Sequence, residues 1–441
     1  MGSNKVQHYP MRELRNVGVQ LLDCEHRTPK PAPSGFPYVA IPNIQDGRLV
    51  LSDVRLISQE DYESWTRRTK PQAQDIILTR RGRVGDTAFV PAGLKCAIGQ
   101  NLVILRSSGE QIDQRYLRWA LRGPLYQEQV RKYLNVGAIF DSLNCADIPK
   151  FEIPVPPMPI QRSIARILSS LDDKIELNQR LNMTLQAVAQ AVFKSWFVDF
   201  DPVQAKINKS LPAGIDDKTA ALFPASFEDS SIGKVPKGWS VSSIGAELQT
   251  VLGGTPSRSE SSYWSNGTIP WINSGKVNEF RIIEPSEYIT EDGLKNSVTR
   301  PLPERTTVVA ITGATVGQVS LLEISSCTNQ SVVGILGSND IPSEFIYFWV
   351  KYYIDDLIAW QTGGAQQHIN KNNVNDLTIL CPSAEVISAY LKIVRPLFDM
   401  IKQRSFESRM LTAMRDTLLP KLLSGQVRVK IPETISDKGT T

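Results

Sequence analysis

Two long stretches of the chain place apolar residues at alternating intervals of four and three. Between Gln161 and Phe200 one row runs Ile164, Leu171, Asn178, Leu185, Val192, and a second runs Leu168, Ile175, Asn182, Ala189, Trp196. This spacing predicts a long helix with a coiled-coil seam, in which buried asparagine fixes register at some cost in stability. The prolines at 154, 156, 157 and 159 exclude helix upstream. A second stretch, Pro396 to Ser424, carries Leu397, Ile401, Leu411, Leu418 and Leu422, interrupted by Arg404, Ser408 and Arg415. Matching seams predict that the two helices pack on each other antiparallel. At 1.5 Å per residue, a helix of about 40 residues spans roughly 60 Å, enough for a spacer.

The regions between the helices show shorter apolar runs. Asp75–Leu78 and Thr307–Ala310 each lead through a glycine-containing turn to a second run, Thr87–Val90 and Val319–Leu322, a strand–turn–strand pattern. Gly85 and Gly317 are assigned to turn geometry. The likeness of these two places extends along the chain. Arg27-Thr28-Pro29 matches Gly254-Thr255-Pro256, Pro37-Tyr38-Val39 matches Pro270-Trp271-Ile272, and Asp75 to Gly85 matches Thr307 to Gly317. Cys96 to Ser107 matches Cys327 to Ser338, Gly137-Ala138 matches Gly364-Ala365, and Ala165 to Glu176 matches Leu391 to Lys402. The common order of these weak matches indicates duplication. The predicted fold is α+β: two mixed, β-rich domains separated by two long helices packed as an antiparallel coiled coil, in a pseudo-two-fold internal repeat.

Composition fits this layout. The 441 residues are 41% apolar and 21% charged, an ordinary globular balance allowing two to four domains. No run of 18 apolar residues occurs, and the opening MGSNKVQHYP lacks a secretory apolar segment, so no membrane association is expected. Five scattered cysteines without a C-x-x-C pair point to reduced thiols and a cytoplasmic location. The net charge of +4 is unevenly placed, because residues 1–150 hold 21 Lys and Arg against 15 acidic residues. That excess allows a polyanionic partner without demanding one.

The sequence shows no catalytic constellation. Its three histidines lie far apart, no G-x-S-x-G elbow or dinucleotide fingerprint occurs, and no metal spacing is present. Gly233-Lys234 and Gly275-Lys276 lack the earlier glycine of a phosphate loop. Asp201-Pro202-Val203 lacks the second proline and aromatic ring of an amino-methylating motif. Asp172-Asp173-Lys174 falls inside the helix and is assigned to a solvated face. Polar residues suited to base edges are present instead: Arg80, Arg81 and Arg83 at the first turn, Thr312 and Thr315 at the second. Gln100-Asn101, Asn329-Gln330 and Gln366-Gln367-His368 extend the set. Arginine pairs with guanine and amides pair with adenine in direct readout.

Several segments resemble the specificity (S) subunit of type I restriction–modification systems. They are VFKSWFVDFDPVQAK (Val192 to Lys206), IGKVPKGW (Ile232 to Trp239), GGTPSRS…YWSNGTIPWINSGKV (Gly253 to Val277) and TLLPKLLSGQVRV (Thr417 to Val429). With the repeat they span nearly the full length, although GFPYVAIPNIQDG in the first half departs from the Trp-Ile-Asn-Ser-Gly wording. The resemblance implies a target recognition domain at 1–155 and a conserved helical region at 156–204. It implies a second recognition domain with its linker at 205–382, and a second helical region with the tail at 383–441. It implies that each domain reads half of an asymmetric bipartite site on double-stranded DNA and that the helices set the gap. The implied partners are two modification (M) subunits, which carry S-adenosylmethionine and methylate adenine, and restriction (R) subunits, which use ATP and Mg. The chain itself would hold no cofactor or metal and have no catalytic residue. Arg80, Arg81, Arg83, Gln100 and Asn101 are the expected contacts to the first half-site. Thr255, Arg258, Asn273, Lys276, Thr312, Thr315 and Gln366 are those to the second. Rival readings are the S subunit of a related fused system that cuts on both sides of its site, a stand-alone nucleic-acid enzyme, and a coiled-coil scaffold.

Overall fold

The computed structural model describes residues 9–25, 27–137, 140–210, 212, 214–361 and 369–429. Packing divides the chain into two compact units, residues 1–175 with 410–441, and residues 176–409.

In the first unit, β1 (Val19–Asp23), β2 (Phe36–Val39), β3 (Arg55–Ile57), β4 (Ile76–Thr79), β5 (Thr87–Phe89), β6 (Ala97–Ile98) and β7 (Leu102–Ser107) form two sheets. One has the order β1-β7-β4-β5 and the other β3-β2-β6. In the second, β2 and β6 run parallel with Tyr38 opposite Ala97. Two short helices, α1 (Gln114–Ala120) and α2 (Pro124–Lys132), lead towards α3 (Met158–Phe197). Asp113 caps α1 by accepting from the backbone N–H groups of Arg115 and Tyr116.

The second unit repeats this wiring. Its corresponding strands are β8 (Thr250–Leu252), β9 (Ile269–Ile272), β10 (Glu287–Ile289), β11 (Thr307–Ala310), β12 (Val319–Leu321), β13 (Cys327–Thr328) and β14 (Val332–Ile335). The sheet orders are β8-β14-β11-β12 and β10-β9-β13, with Trp271 opposite Cys327 in the parallel pair. Ile76 pairs with Phe89 but Thr307 with Leu321, so the second turn is one residue longer. A single helix, α4 (Ser343–Gln361), replaces α1 and α2, because no Gly-Pro break corresponding to Gly123-Pro124 interrupts it. The last helix is α5 (Ala384–Leu423).

Both long helices bury side chains into these units. In the first, Ile164 and Leu168 join a core with Tyr116, Trp119, Tyr126, Phe151, Leu419 and Leu422. In the second, the Phe193, Trp196 and Phe197 of the Val192–Lys206 segment pack with Phe345, Trp349 and Tyr390. Phe197 meets Phe345 and Tyr390 edge-on at ring separations of 4.9 and 5.1 Å. Within the second unit Asn178 donates to Glu407 at 2.8 Å and Asn182 to Ser405 at 3.1 Å, rising numbers meeting falling ones. The helices therefore pack antiparallel there, with asparagines buried in the seam as their spacing predicts.

The seam differs in detail from a strict heptad. Ile164, Leu168, Ile175 and Ile401 are buried, whereas Leu171, Leu185, Val192, Leu397, Leu411 and Leu418 are only partly so. Asp172 and Leu419 are buried beside Leu171 and Leu418. Each helix packs against its own sheets as well as its partner, so the buried stripe follows both surfaces. α5 also begins twelve residues before Pro396, which sits exposed within it.

Candidate nucleic-acid interface

In each unit four connecting segments converge at one edge of the four-stranded sheet. In the first, β4 passes into the Arg80–Asp86 turn, where Gly85 donates to the Thr79 carbonyl at 3.0 Å and accepts from the Tyr126 hydroxyl at 2.8 Å. Gly85 has φ +87°, and a Cβ there would lie 2.9 Å from Val130. Gly317 has φ +82° in the equivalent turn, and a Cβ would meet Ile358 at 2.4 Å. Both positions therefore require glycine for left-handed backbone and close packing.

The backbone links are shared as well. Arg80 N donates to Asn101 O and accepts at its carbonyl from Leu143 N; Ile311 N donates to Ser331 O and its carbonyl accepts from Ile369 N. Gly99 N binds Val39 O just as Asn329 N binds Ile272 O. The loop after the parallel strand, the turn after β4 or β11, and the segment following α2 or α4 are thus tied together in both halves. The 3-10 turns Ile41–Asn43 and Ser274–Asn278 complete each edge.

The side chains differ sharply between the edges. Arg80 reaches the Leu143 and Gln100 carbonyls at 3.5 Å, and Arg83 donates to the carbonyls of Ile41 (2.6 Å) and Ile44. Both arginines brace the first edge. Arg81 is exposed and makes no side-chain hydrogen bond or ion pair among the described residues. Gln100 is exposed and Asn101 partly buried, both lining a cleft of about 490 Å³ with Tyr38, Asn43 and Arg55.

At the second edge, Thr312 and Thr315 flank the turn beside the one containing Lys276. Asn273 caps that 3-10 turn by accepting from Gly275 N at 2.9 Å. Thr255 donates to Gln330 at 2.6 Å, tying the segment after β8 to the loop after β13. Lys276 is paired with Glu279 and Glu284 at 2.7 and 3.3 Å. Arg258 lies 3.6 Å over the Trp264 ring and forms a two-point pair with Glu287 at 2.7 and 2.8 Å. That hydrogen-bonded carboxylate holds Arg258 firmly protonated. Gln366 lies outside the described residues. Gln330, one of the amides noted as suited to base edges, is exposed, and the backbone links set it at the place that Gln100 holds in the first unit.

The assignment of Asp172 to a solvated face is corrected here. Its side chain is 1% exposed and pairs with Arg415 at 2.7 Å, Arg48 at 2.9 Å and Arg118. Burial raises its pKa, but the Arg118 and Arg48 charges and the Arg415 hydrogen bond outweigh that and hold it below the ordinary carboxylate range. It is a structural anchor joining a loop, α1, α3 and α5 within the first unit. Among the described residues no group of three metal-liganding side chains occurs, and no helix is long and apolar enough to cross a membrane. All five cysteines are free, and burial pushes the Cys24 and Cys96 thiols up to about 11 and about 12.

Fold and edge together define a twice-written α+β recognition module braced by paired long helices, its two faces alike in backbone and unlike in chemistry. The family model for the type I restriction modification DNA specificity domain matches residues 27–187 and 236–407, and the chain belongs to that family. It is 29% identical over 332 residues to the type I restriction enzyme HindI specificity subunit of Haemophilus influenzae, covering 65% of this chain and 72% of that one. It is 25% identical over 361 residues to the MjaIX specificity subunit of Methanocaldococcus jannaschii, covering 80% and 78%. The crystal structure of a type I restriction–modification S subunit from M. genitalium superposes with a TM-score of 0.60 at 18% identity, covering 96% of this chain and 98% of that one.

Proposed function

We propose that this chain is the DNA sequence-recognition subunit of a cytoplasmic type I restriction–modification complex and acts by binding alone. The observation that carries the reading is the repeated edge: equivalent backbone links hold different residues at equivalent places, Arg80 and Arg81 in one half, Ile311 and Thr312 in the other. Equivalent backbone links with unlike side chains suit two unlike half-sites, so the target is bipartite and asymmetric. At the first edge Arg81 faces solvent to meet a phosphate or guanine, while Arg80 and Arg83 hold the loops in place. Gln100 and Asn101 there, and Gln330, Asn273, Thr312 and Thr315 at the second edge, supply amide and hydroxyl groups for base edges. Thr255 positions Gln330, and Lys276 and Arg258, each held by glutamate, shape that edge. Gln366 joins the second half-site from the segment following α4.

The antiparallel helices set the unspecified gap and dock two modification subunits, which use S-adenosylmethionine to methylate adenine. Restriction subunits, using ATP and Mg, cleave DNA lacking that mark. The test is co-expression with the cognate modification subunit in an unmethylated host, followed by single-molecule mapping of N6-methyladenine. A bipartite motif with fixed gap that vanishes without this chain is expected. Methylation with the same motif in its absence would overturn the reading.

A further inference from the structure

The segment that follows α2 carries two large apolar side chains into solvent. Asn135 and Ser142 exchange both backbone hydrogen bonds, at 2.9 and 3.0 Å, closing a narrow stem. Ser142 also forms a β-bridge with Arg81, and Leu143 is bonded to Arg80, so the stem is fastened to the arginine turn. Beyond the stem, Val136 is 82% exposed and Phe140 is 66% exposed. A Cβ on Gly137 would lie 2.4 Å from the Phe140 carbonyl oxygen, so these two residues sit close together above the stem. A scattered exposed apolar residue means little. Here two share one stem, on the edge that presents the exposed Arg81.

The repeat sharpens the point. Leu143 and Ile369 make the equivalent backbone links, an offset of 226, which in sequence aligns Phe140-Asp141-Ser142 with Gln366-Gln367-His368. One copy of this loop is apolar and aromatic, and the other carries amides. Val136 and Phe140, exposed together beside Arg81, suit a loop that meets a base stack, because apolar side chains enter base steps and unstack them.

We propose that Phe140, flanked by Val136, is a wedge that inserts into the base stack of the first half-site, beside the base or phosphate taken by Arg81. The inference rests on the DNA-recognition reading above. It makes the two half-sites differ in mode as well as sequence. The first is read partly through deformability, and the step under Phe140 is a flexible pyrimidine–purine one; the second is read by amide hydrogen bonds.

The test uses the complex of this chain with its modification subunits on a duplex carrying the mapped motif, with 2-aminopurine substituted singly through each half-site. A fluorescence rise at one step of the first half-site is expected for the wild type. Phe140→Ala abolishes that rise and weakens binding roughly five- to 150-fold, the range for loss of a base–aromatic stack. Phe140→Leu, still apolar, restores most of both, and probes in the second half-site respond identically in all three proteins. Gel filtration confirms that each variant still assembles with the modification subunits. Wild-type affinity in Phe140→Ala, or a rise that survives it, overturns the wedge while leaving sequence recognition intact. Loss of assembly in place of loss of DNA binding assigns Phe140 to a protein contact and equally overturns it. A wild-type complex that binds no bipartite duplex would sink the recognition reading itself.

Discussion

Replacing Asp172 with Ala tests whether the buried ion cluster is what fastens the helices to the first recognition domain. Three arginines face this one carboxylate, and it is 1% exposed. The Arg118 and Arg415 side chains are each 11% exposed and Arg48 is 20% exposed, so removing Asp172 leaves two guanidinium groups almost dry. Breaking a buried pair from one side costs about 3–5 kcal/mol. Arg48 can turn towards water, which places the expected loss nearer about 3–4 kcal/mol. For a unit of this size that corresponds to a melting shift of about 10 °C. The assay is thermal unfolding of the M–S complex at pH 7.5, with hydrogen exchange across residues 158–175 reporting where protection is lost. Asp172→Leu combined with Arg118→Met should recover about half of the loss, because Arg118 already stacks 3.7 Å from the Phe89 ring and an apolar side chain fits there, while Arg415 stays without Asp172. The pH dependence has a definite sign. The folded pKa of Asp172 lies below its unfolded value, so its contribution is complete above the ordinary carboxylate range and fades as pH falls through the depressed value. A melting temperature for Asp172→Ala within about 2 °C of wild type at pH 7.5 would refute the reasoning.

Arg81→Ala should reduce methylation through the first half-site about ten- to hundred-fold with no change in stability, as expected for an arginine on a base edge. Arg83→Ala, which releases the Ile41–Ile44 loop, should instead lower the melting temperature as well; equal stability effects for the two would contradict their division of roles. Burial pushes Glu323 up to about 7 from an ordinary value near 4.5, against the opposing charges of Arg281 and Arg305. Its raised folded pKa makes its contribution complete below pH 4.5 and lost as pH rises through 7, so the urea midpoint of the second unit should fall between pH 5.5 and 8. Glu323→Gln should flatten that slope, and an unchanged slope would exclude Glu323 as its source. Inserting one helical turn after Gln179, with a matching turn after Glu407, adds roughly 6 Å and should lengthen the gap in the methylated motif by about 1–2 base pairs. An unaltered gap would remove the helices from the spacing role.

The order of weak matches at offsets near 230 established the duplication, and the sheets β1-β7-β4-β5 and β8-β14-β11-β12 repeat it strand for strand. The seven-residue rows were enough for the first long helix, for the buried asparagines and for the second helix from Pro396 onward, though not for its first twelve residues, because helical periodicity is a local property of the chain. Gly85 and Gly317 were legible as turn residues for the same reason. Three things were decided by tertiary structure alone. Asp172 reads as a surface charge along its helix, and only the arrival of Arg48, Arg118 and Arg415 from distant positions makes burial of its charge favourable. The three arginines of the first turn are alike in sequence, yet carbonyl groups from separate loops claim Arg80 and Arg83 and leave Arg81 facing water. Phe140 reads in the sequence as one ordinary apolar residue among many, since its exposure goes with a stem in which Ser142 pairs with both Asn135 and Arg81. Periodicity and repetition are written along the chain, whereas the partner that satisfies a charge or covers a ring comes from wherever folding brings it.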